Sequence, residues 1–391
     1  MQVEDANGET NVFGVTPSNV IQSTMDGEGN QCTAEYVEDL LSKVTFPDGT
    51  TESYMYDGND QLKHFTTRSG DEIVYELDEA GRMVGKTTST GESSHYLYDS
   101  RGFIIEAANN AGSITFSYND DGSPSSVRYS NGRELHYEYD DQSRRIGLSD
   151  NDGYNISYSY SRKGELSEVK DNNQNGLVLL KIDYDKQGRV SQRTNPNGCS
   201  TKIGYDQRGK KQNVLKTTCN SEVVISTEYH FDQRNRIRSM NTSTGGIWGY
   251  RYDAKSQLIS WTDPEGSETK ITYDKAQNRR VVSVDGEDTG YEVNELNQFL
   301  RYGSDVAFEY SSGGFLIRII DRGNNIIERY SYNAEGKLVE LTTPSESCRF
   351  VYDAMENLHQ KICTDHTTTY LVDPFGFFGE EIVGEVRYFN K

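Results

Sequence analysis

Three groups of residues in this 391-residue chain have types and spacings that could do chemistry. The histidines His64, His95, His136, His230, His359 and His366 are the first place to look for a metal centre or a catalytic triad. They are scattered, with no ligand spacing and no accompanying cysteine or carboxylate pattern, so neither zinc nor triad chemistry finds support. The run Asp171-Asn172-Asn173-Gln174-Asn175-Gly176 fits the first half of an EF-hand calcium loop, but position twelve is Ile182, where a bidentate Glu is needed. It reads as an extended hairpin loop. The cysteines Cys32, Cys199, Cys219, Cys348 and Cys363 offer redox chemistry, and the sequons at Asn155 and Asn241 offer N-glycosylation. With so many Asn, Ser and Thr in the chain, the sequons read first as ordinary polar surface.

Composition narrows what surrounds these residues. Only 34% of residues are hydrophobic, yet Tyr (27) and Gly (36) are abundant along the whole length. A close-packed core is too small for a conventional enzyme of this size, and the aromatic content excludes a solvated tail. The net charge of -21 repels phosphate backbones, so nucleic acid is excluded as a partner. There is no apolar run long enough for membrane insertion and no signal-peptide pattern; the acidic, turn-rich start reads as a piece of a longer protein.

The elements that position these residues emerge from internal periodicity. Tyr56, Leu77, Tyr98, Tyr118, Tyr139, Tyr160, Tyr184, Tyr205, Phe231, Tyr252, Tyr273, Val293, Tyr310, Tyr332 and Tyr352 recur about every 21 residues, and each can be called position zero of a unit. Position +1 is always Asp, Asn or Ser, with Asp at Asp57, Asp78, Asp99, Asp140, Asp185, Asp206, Asp232, Asp253, Asp274 and Asp353. Position -2 is aromatic or Ile throughout. Gly recurs at +4, as in Gly81, Gly188 and Gly336, and a second turn follows near +14, marked by pairs such as Asn131-Gly132 and Asn197-Gly198. Such residues reach positive φ cheaply and suit hairpin turns, so each unit is a β-hairpin.

Side chains alternate along a strand, so positions -2 and zero share one face and build an aromatic ladder. The ladder residues are Tyr56, Tyr98, Tyr118, Tyr139, Tyr160, Tyr184, Tyr205, Tyr252, Tyr273, Tyr310, Tyr332 and Tyr352. The Asp at +1 falls where the strand turns, and its short side chain accepts a hydrogen bond from the backbone two residues on. Loop closure thus accounts for the Asp series without metal, and no cofactor is implied. About thirty strands at roughly 4.8 Å each span on the order of 145 Å, enough to close a ring about 45 Å across. Side chains cannot fill so wide a ring. The expectation is an all-β fold of tandem hairpins coiled into a large hollow barrel or spiral shell, held by cross-strand aromatic pairs.

Within this frame Cys199 and Cys219 flank the loop after Tyr205, and Cys348 and Cys363 flank the loop after Tyr352. Each pair falls on neighbouring antiparallel strands, where a cross-strand disulfide can form; the alternative is free thiols in a reducing compartment, and a slip of one residue would separate the partners. Asn155 has the parity opposite to Tyr158 and Tyr160 and faces away from the ladder. A tyrosine-rich wall can bind sugars or a threaded peptide, but the same tyrosines are required structurally.

The Tyr-Asp doublet at the strand end, Gly at +4 followed by Arg or Lys (Gly81-Arg82, Gly188-Arg189, Gly336-Lys337) and an apolar +6 together resemble the YD or Rhs repeat family. The resemblance runs from about Tyr36 to the end, and Tyr370-Leu371-Val372-Asp373-Pro374-Phe375-Gly376 looks like a segment found late in such arrays. The family comprises bacterial Rhs toxins, the C components of Tc toxins and animal teneurins, and it implies a hollow shell. Residues 1–35 then read as a degenerate repeat or linker, 36–369 as the shell and 370–391 as a segment leading out of it. The implied function is a non-catalytic shell of a teneurin-like, extracellular or cell-surface adhesion protein; the alternative is a toxin cocoon enclosing a C-terminal effector. Partners would be other domains of a longer chain and a protein or glycan ligand.

Overall fold

The computed structural model describes residues 2–4, 10–15, 20–206, 212–376, 379–383 and 386–390, with side chains for 12–15, 20–206 and 212–376. Among the described residues, 38 strands form one antiparallel sheet in which each strand pairs with its neighbours in sequence. One short 3-10 helix, Asn172–Gln174, sits in the long loop that begins at Asp171. The strands are short, as in Ser93–Tyr98, Ile104–Asn109 and Gly112–Tyr118. They alternate with tight turns in which Gly or Asn takes positive φ, for example Gly81 at 77° and Asn235 at 63°.

At every position zero the ladder slips by one residue. Leu97 lies opposite Glu106 while Tyr98 lies opposite Ile104, and the same step recurs at Tyr160, Tyr205, Tyr252 and Tyr352. A bulge of this kind bends the strand and increases its twist. Repeated once per hairpin, it makes the sheet coil. The ladder also extends upstream of residue 36: strands Ile21–Met25, Gln31–Val37 and Leu40–Thr45 pair in series, with the same slip at Tyr36.

The first and last strands do not pair, and the sheet overlaps itself as a spiral. Contacts between its successive revolutions join residues 228 to 271 positions apart. One revolution therefore uses about two dozen strands, a circumference on the order of 115 Å by the inter-strand spacing. A dense core exists where the revolutions overlap. Tyr96, Val127, Tyr129, Leu135, Tyr137 and Leu148 are buried there together with Ala354 and Leu371 of the later strands. Between Leu179 and Ala334 the one buried hydrophobic residue among the described ones is Ile271.

Candidate functional site

The distinctive side chains of the repeat converge on a rung between consecutive units. Asp78 accepts, through one carboxylate oxygen, the backbone N–H groups of Ala80 and Arg82, each at 2.9 Å. Its second oxygen accepts from the Arg82 side chain at 2.7 Å. The guanidinium then lies over the ring of Tyr98, the next position zero, at 4.7 Å from the centroid. The Tyr98 hydroxyl donates back to the Met83 carbonyl at 2.8 Å. Asp140, Arg144 and Tyr160 repeat the arrangement, as do Asp185, Arg189 and Tyr205, and Asp232, Arg236 and Tyr252.

Position +5 covers the next ring by whatever flat or cationic group stands there. Lys337 lies 5.1 Å over Tyr352, while Phe103 stacks on Tyr118 at 4.8 Å and Phe315 on Tyr332 at 4.9 Å. A bond from the ring hydroxyl to the +6 carbonyl of the preceding unit is made by Tyr118, Tyr160, Tyr184, Tyr205, Tyr252, Tyr273, Tyr310 and Tyr352. Tyr36 makes it too, to Ile21. Tyr56, Tyr139 and Tyr332 hold the same strand position without it among the described contacts. The spacing of sixteen or so residues from the Gly-Arg doublet to the next Tyr was the available sequence signal for this contact.

The remaining +1 aspartates close their own loops. Asp57, Asp99 and Asp353 each accept the backbone N–H groups two and four residues on. Asp253 and Asp274 accept from Gln257 and Asn278. The loop after Asp206 lies outside the described residues. The Arg82, Arg144 and Arg189 side chains hold the carboxyls of Asp78, Asp140 and Asp185 below the ordinary range, and for Asp232 the Arg236 backbone N–H is the leading cause. Asp353 is the exception: burial raises it.

A second constellation holds successive revolutions of the sheet together. Asp373, whose side chain is fully buried, accepts from the Tyr137 hydroxyl at 2.6 Å and from Arg145 at 2.7 Å. Arg145 also donates to the Phe375 carbonyl at 3.0 Å, and the Phe375 ring meets Phe116, Tyr118 and Tyr137 edge to face. Tyr96 donates to the Ala354 carbonyl and Asn109 to that of Tyr352, both at 3.0 Å. Lys86, itself buried, bridges Glu335 and Glu356 of the later revolution. Burial, followed by the nearby Asp373 charge, pushes the phenols of Tyr129 and Tyr137 well up.

The cysteines stand in two disulfides. Cys199 and Cys219 have Cα atoms 4.1 Å apart, and Cys348 and Cys363 lie directly opposite one another at 4.0 Å. Cys32 is free. Asn155 and Asn241 are both exposed, and Asn155 accepts from the Asn172 side chain at 2.7 Å. Among the histidines, His366 lies 2.6 Å from the exposed Asp365 carboxylate and 3.9 Å from that of Glu346. No helix is long and apolar enough to cross a membrane among the described residues.

Known proteins are similar to this chain. Over 130 residues the chain is 26% identical to Teneurin-4 of Mus musculus and 25% identical to Teneurin-4 of Homo sapiens. That stretch is 33% of this chain and only 4% and 5% of those proteins' lengths. In fold it is similar to the crystal structure of TcdB2-TccC3-Cdc42, at a TM-score of 0.51 and 12% identity over 97% of this chain and 28% of the other. The crystal structure of TcdB2-TccC3 without its hypervariable C-terminal region gives the same TM-score and coverage. The profile of the Teneurin YD-shell family matches residues 18–198 and again 195–372, nearly the whole array of Tyr-Asp rungs. With its repeat, its rungs and its coiled antiparallel sheet accounted for in this way, the chain belongs to the Teneurin YD-shell family.

Proposed function

We propose that this shell is a non-catalytic wall of a larger cell-surface or secreted protein of teneurin type, where it presents a rigid surface to other domains and to a protein or glycan ligand. The observation that carries this reading is the use made of the repeat's reactive-looking groups. Asp78, Arg82 and Tyr98 satisfy one another and the backbone, and so do their counterparts in later units, leaving no poised acid, base or nucleophile in the rungs. The two cross-strand disulfides favour an oxidising, extracellular setting. In that setting Asn155 and Asn241, both exposed and outside the rungs, are the sites proposed for N-linked glycan.

The fold likeness to TcdB2-TccC3 supports a second reading, a cocoon around a C-terminal effector. The experiment that separates them is peptide mapping, without reduction, of the full-length protein recovered from the medium of secreting eukaryotic cells. The adhesion reading expects both disulfides formed and sugar on at least one sequon. Free thiols at all four cysteines, with a downstream domain that is harmful when expressed alone, would replace it with the cocoon.

A further inference from the structure

A cleft on the non-ladder face of the middle units differs in charge from the rest of this acidic molecule. Its volume is about 630 Å³. His230, Ser239, Gly249 and Thr262 form a row across four adjacent strands, each opposite the next in the ladder. Arg251 stands two residues along from Gly249 on the same face, opposite Ser260. Arg238 occupies the bulge where Phe231 pairs with Ile237 and His230 with Ser239. All three basic residues are exposed at the cleft, and its floor drops at Gly249, where an added Cβ would meet nothing within 4 Å.

The two arginines here differ from those of the rungs. Arg82, Arg144, Arg189 and Arg236 are each bound to an Asp and laid on a ring. Among the described residues neither Arg238 nor Arg251 makes an ion pair or a side-chain hydrogen bond, so their donors face the cleft uncommitted. Glu228 approaches His230 at 3.8 Å and bounds one end with negative charge. The donor set of two guanidinium groups, an imidazole and the hydroxyls of Ser239 and Thr262 suits a small oxyanion. The cleft is open to solvent, and its volume is far greater than one such ion fills, leaving room for a group attached to the ion.

We propose that this cleft binds the sulfate ester of a sulfated mono- or disaccharide, with Arg238 and Arg251 on the sulfate and Ser239 and Thr262 toward the sugar hydroxyls. The net charge of -21 selects against long polyanions and favours a singly charged sulfate over a phosphate ester near charge -2. The site stands on its own geometry, and a glycan on Asn241, two residues from Ser239 on the same strand, would compete with it for space.

The test is calorimetric titration of the full chain, made in a host that adds no N-linked sugar because Asn241 borders the cleft, with N-acetylglucosamine 6-sulfate. Binding is expected, with inorganic sulfate, glucose 6-phosphate and plain N-acetylglucosamine each weaker by about tenfold or more. Arg238→Ala and Arg251→Ala are each expected to weaken it about tenfold, while the exposed Arg280→Ala elsewhere on the sheet leaves it unchanged. Circular dichroism establishes that the variants are folded. No heat with the sulfated sugar, inorganic sulfate binding as tightly as the sugar, or arginine variants that bind like the parent would each overturn the proposal.

Discussion

The hydroxyl of Tyr137 and the carboxylate of Asp373 meet at 2.6 Å although 236 residues separate them in the chain. One belongs to an early revolution of the sheet and the other to the last turn described. Their meeting sets how the spiral lies on itself, because Asp373 is fully enclosed and its other oxygen is taken by Arg145.

Removing that carboxylate leaves the half-buried Arg145 with the Phe375 carbonyl but without its ion-pair partner. Asp373→Ala is expected to cost about 3–5 kcal/mol, the range for breaking one side of a buried ion pair. Tyr137→Phe, which removes one hydrogen bond to a charged group, is expected to cost about 1.5–3 kcal/mol. Urea denaturation measures both, and limited proteolysis should cut near residue 373 first in Asp373→Ala. Equal protection of that segment in variant and parent would show that the seam is held elsewhere.

The rungs are half exposed and individually weak. Arg144→Ala and Arg189→Ala should each cost about 0.5–1.5 kcal/mol, from a screened ion pair together with a cation–π contact. Because the rungs lie in separate repeats, the double variant should lose close to the sum. Coupling well above about 0.5 kcal/mol would mean that the rungs transmit strain along the sheet.

Stability should form a plateau against pH that falls at both ends. Asp78, Asp140, Asp185 and Asp232 have folded values depressed by their arginine partners, and Glu356 is depressed chiefly by Lys86. Their stabilisation is present above the unfolded carboxylate range of about pH 4 and disappears as pH falls through the folded values. At the other end, burial raises the phenols of Tyr129 and Tyr137. For Lys86 burial acts to lower the value, and the hydrogen bonds it donates to Glu335 and Glu356 more than reverse it. These contributions are whole below about pH 10 and are lost as pH rises through the folded values. Asp353 works in the opposite sense, since burial favours its neutral form. Asp353→Asn, which keeps an oxygen for the N–H groups of Met355 and Asn357, should therefore raise the thermal midpoint at pH 7. A lower midpoint would show that the charge itself is needed there.

The Cys348–Cys363 link spans 15 residues and the Cys199–Cys219 link 20. Closing loops of that length restricts the unfolded chain by about 3 kcal/mol each. Replacing either pair by Ser should lower stability by roughly 2–3 kcal/mol, read from urea midpoints with and without reductant. A parent protein indifferent to reductant would show that the native hairpins need no covalent tie.

The sequence by itself determined the repeat, the hairpin and the alternation of faces, because each depends on residues within one unit: Tyr98 beside Asp99, the turn at Gly102, the strand parity from Tyr96 to Tyr98. It also implied that a sheet of this many strands must coil. Which group covers each ring is not written within one unit: Arg82 and Tyr98 belong to different units, so the sequence carries only their spacing, and the sheet's register brings them together. Cross-strand aromatic pairs are present, as at Tyr54–Phe65 and Tyr291–Tyr302, but other ladder rings lie under a guanidinium with their hydroxyl bound to a carbonyl. The tertiary structure alone decided that the sheet runs past closure, so that Tyr96 meets Ala354 and Tyr137 meets Asp373. Those contacts follow from twist summed over some two dozen strands, and a small change in the bend at each bulge would bring a different residue to the seam.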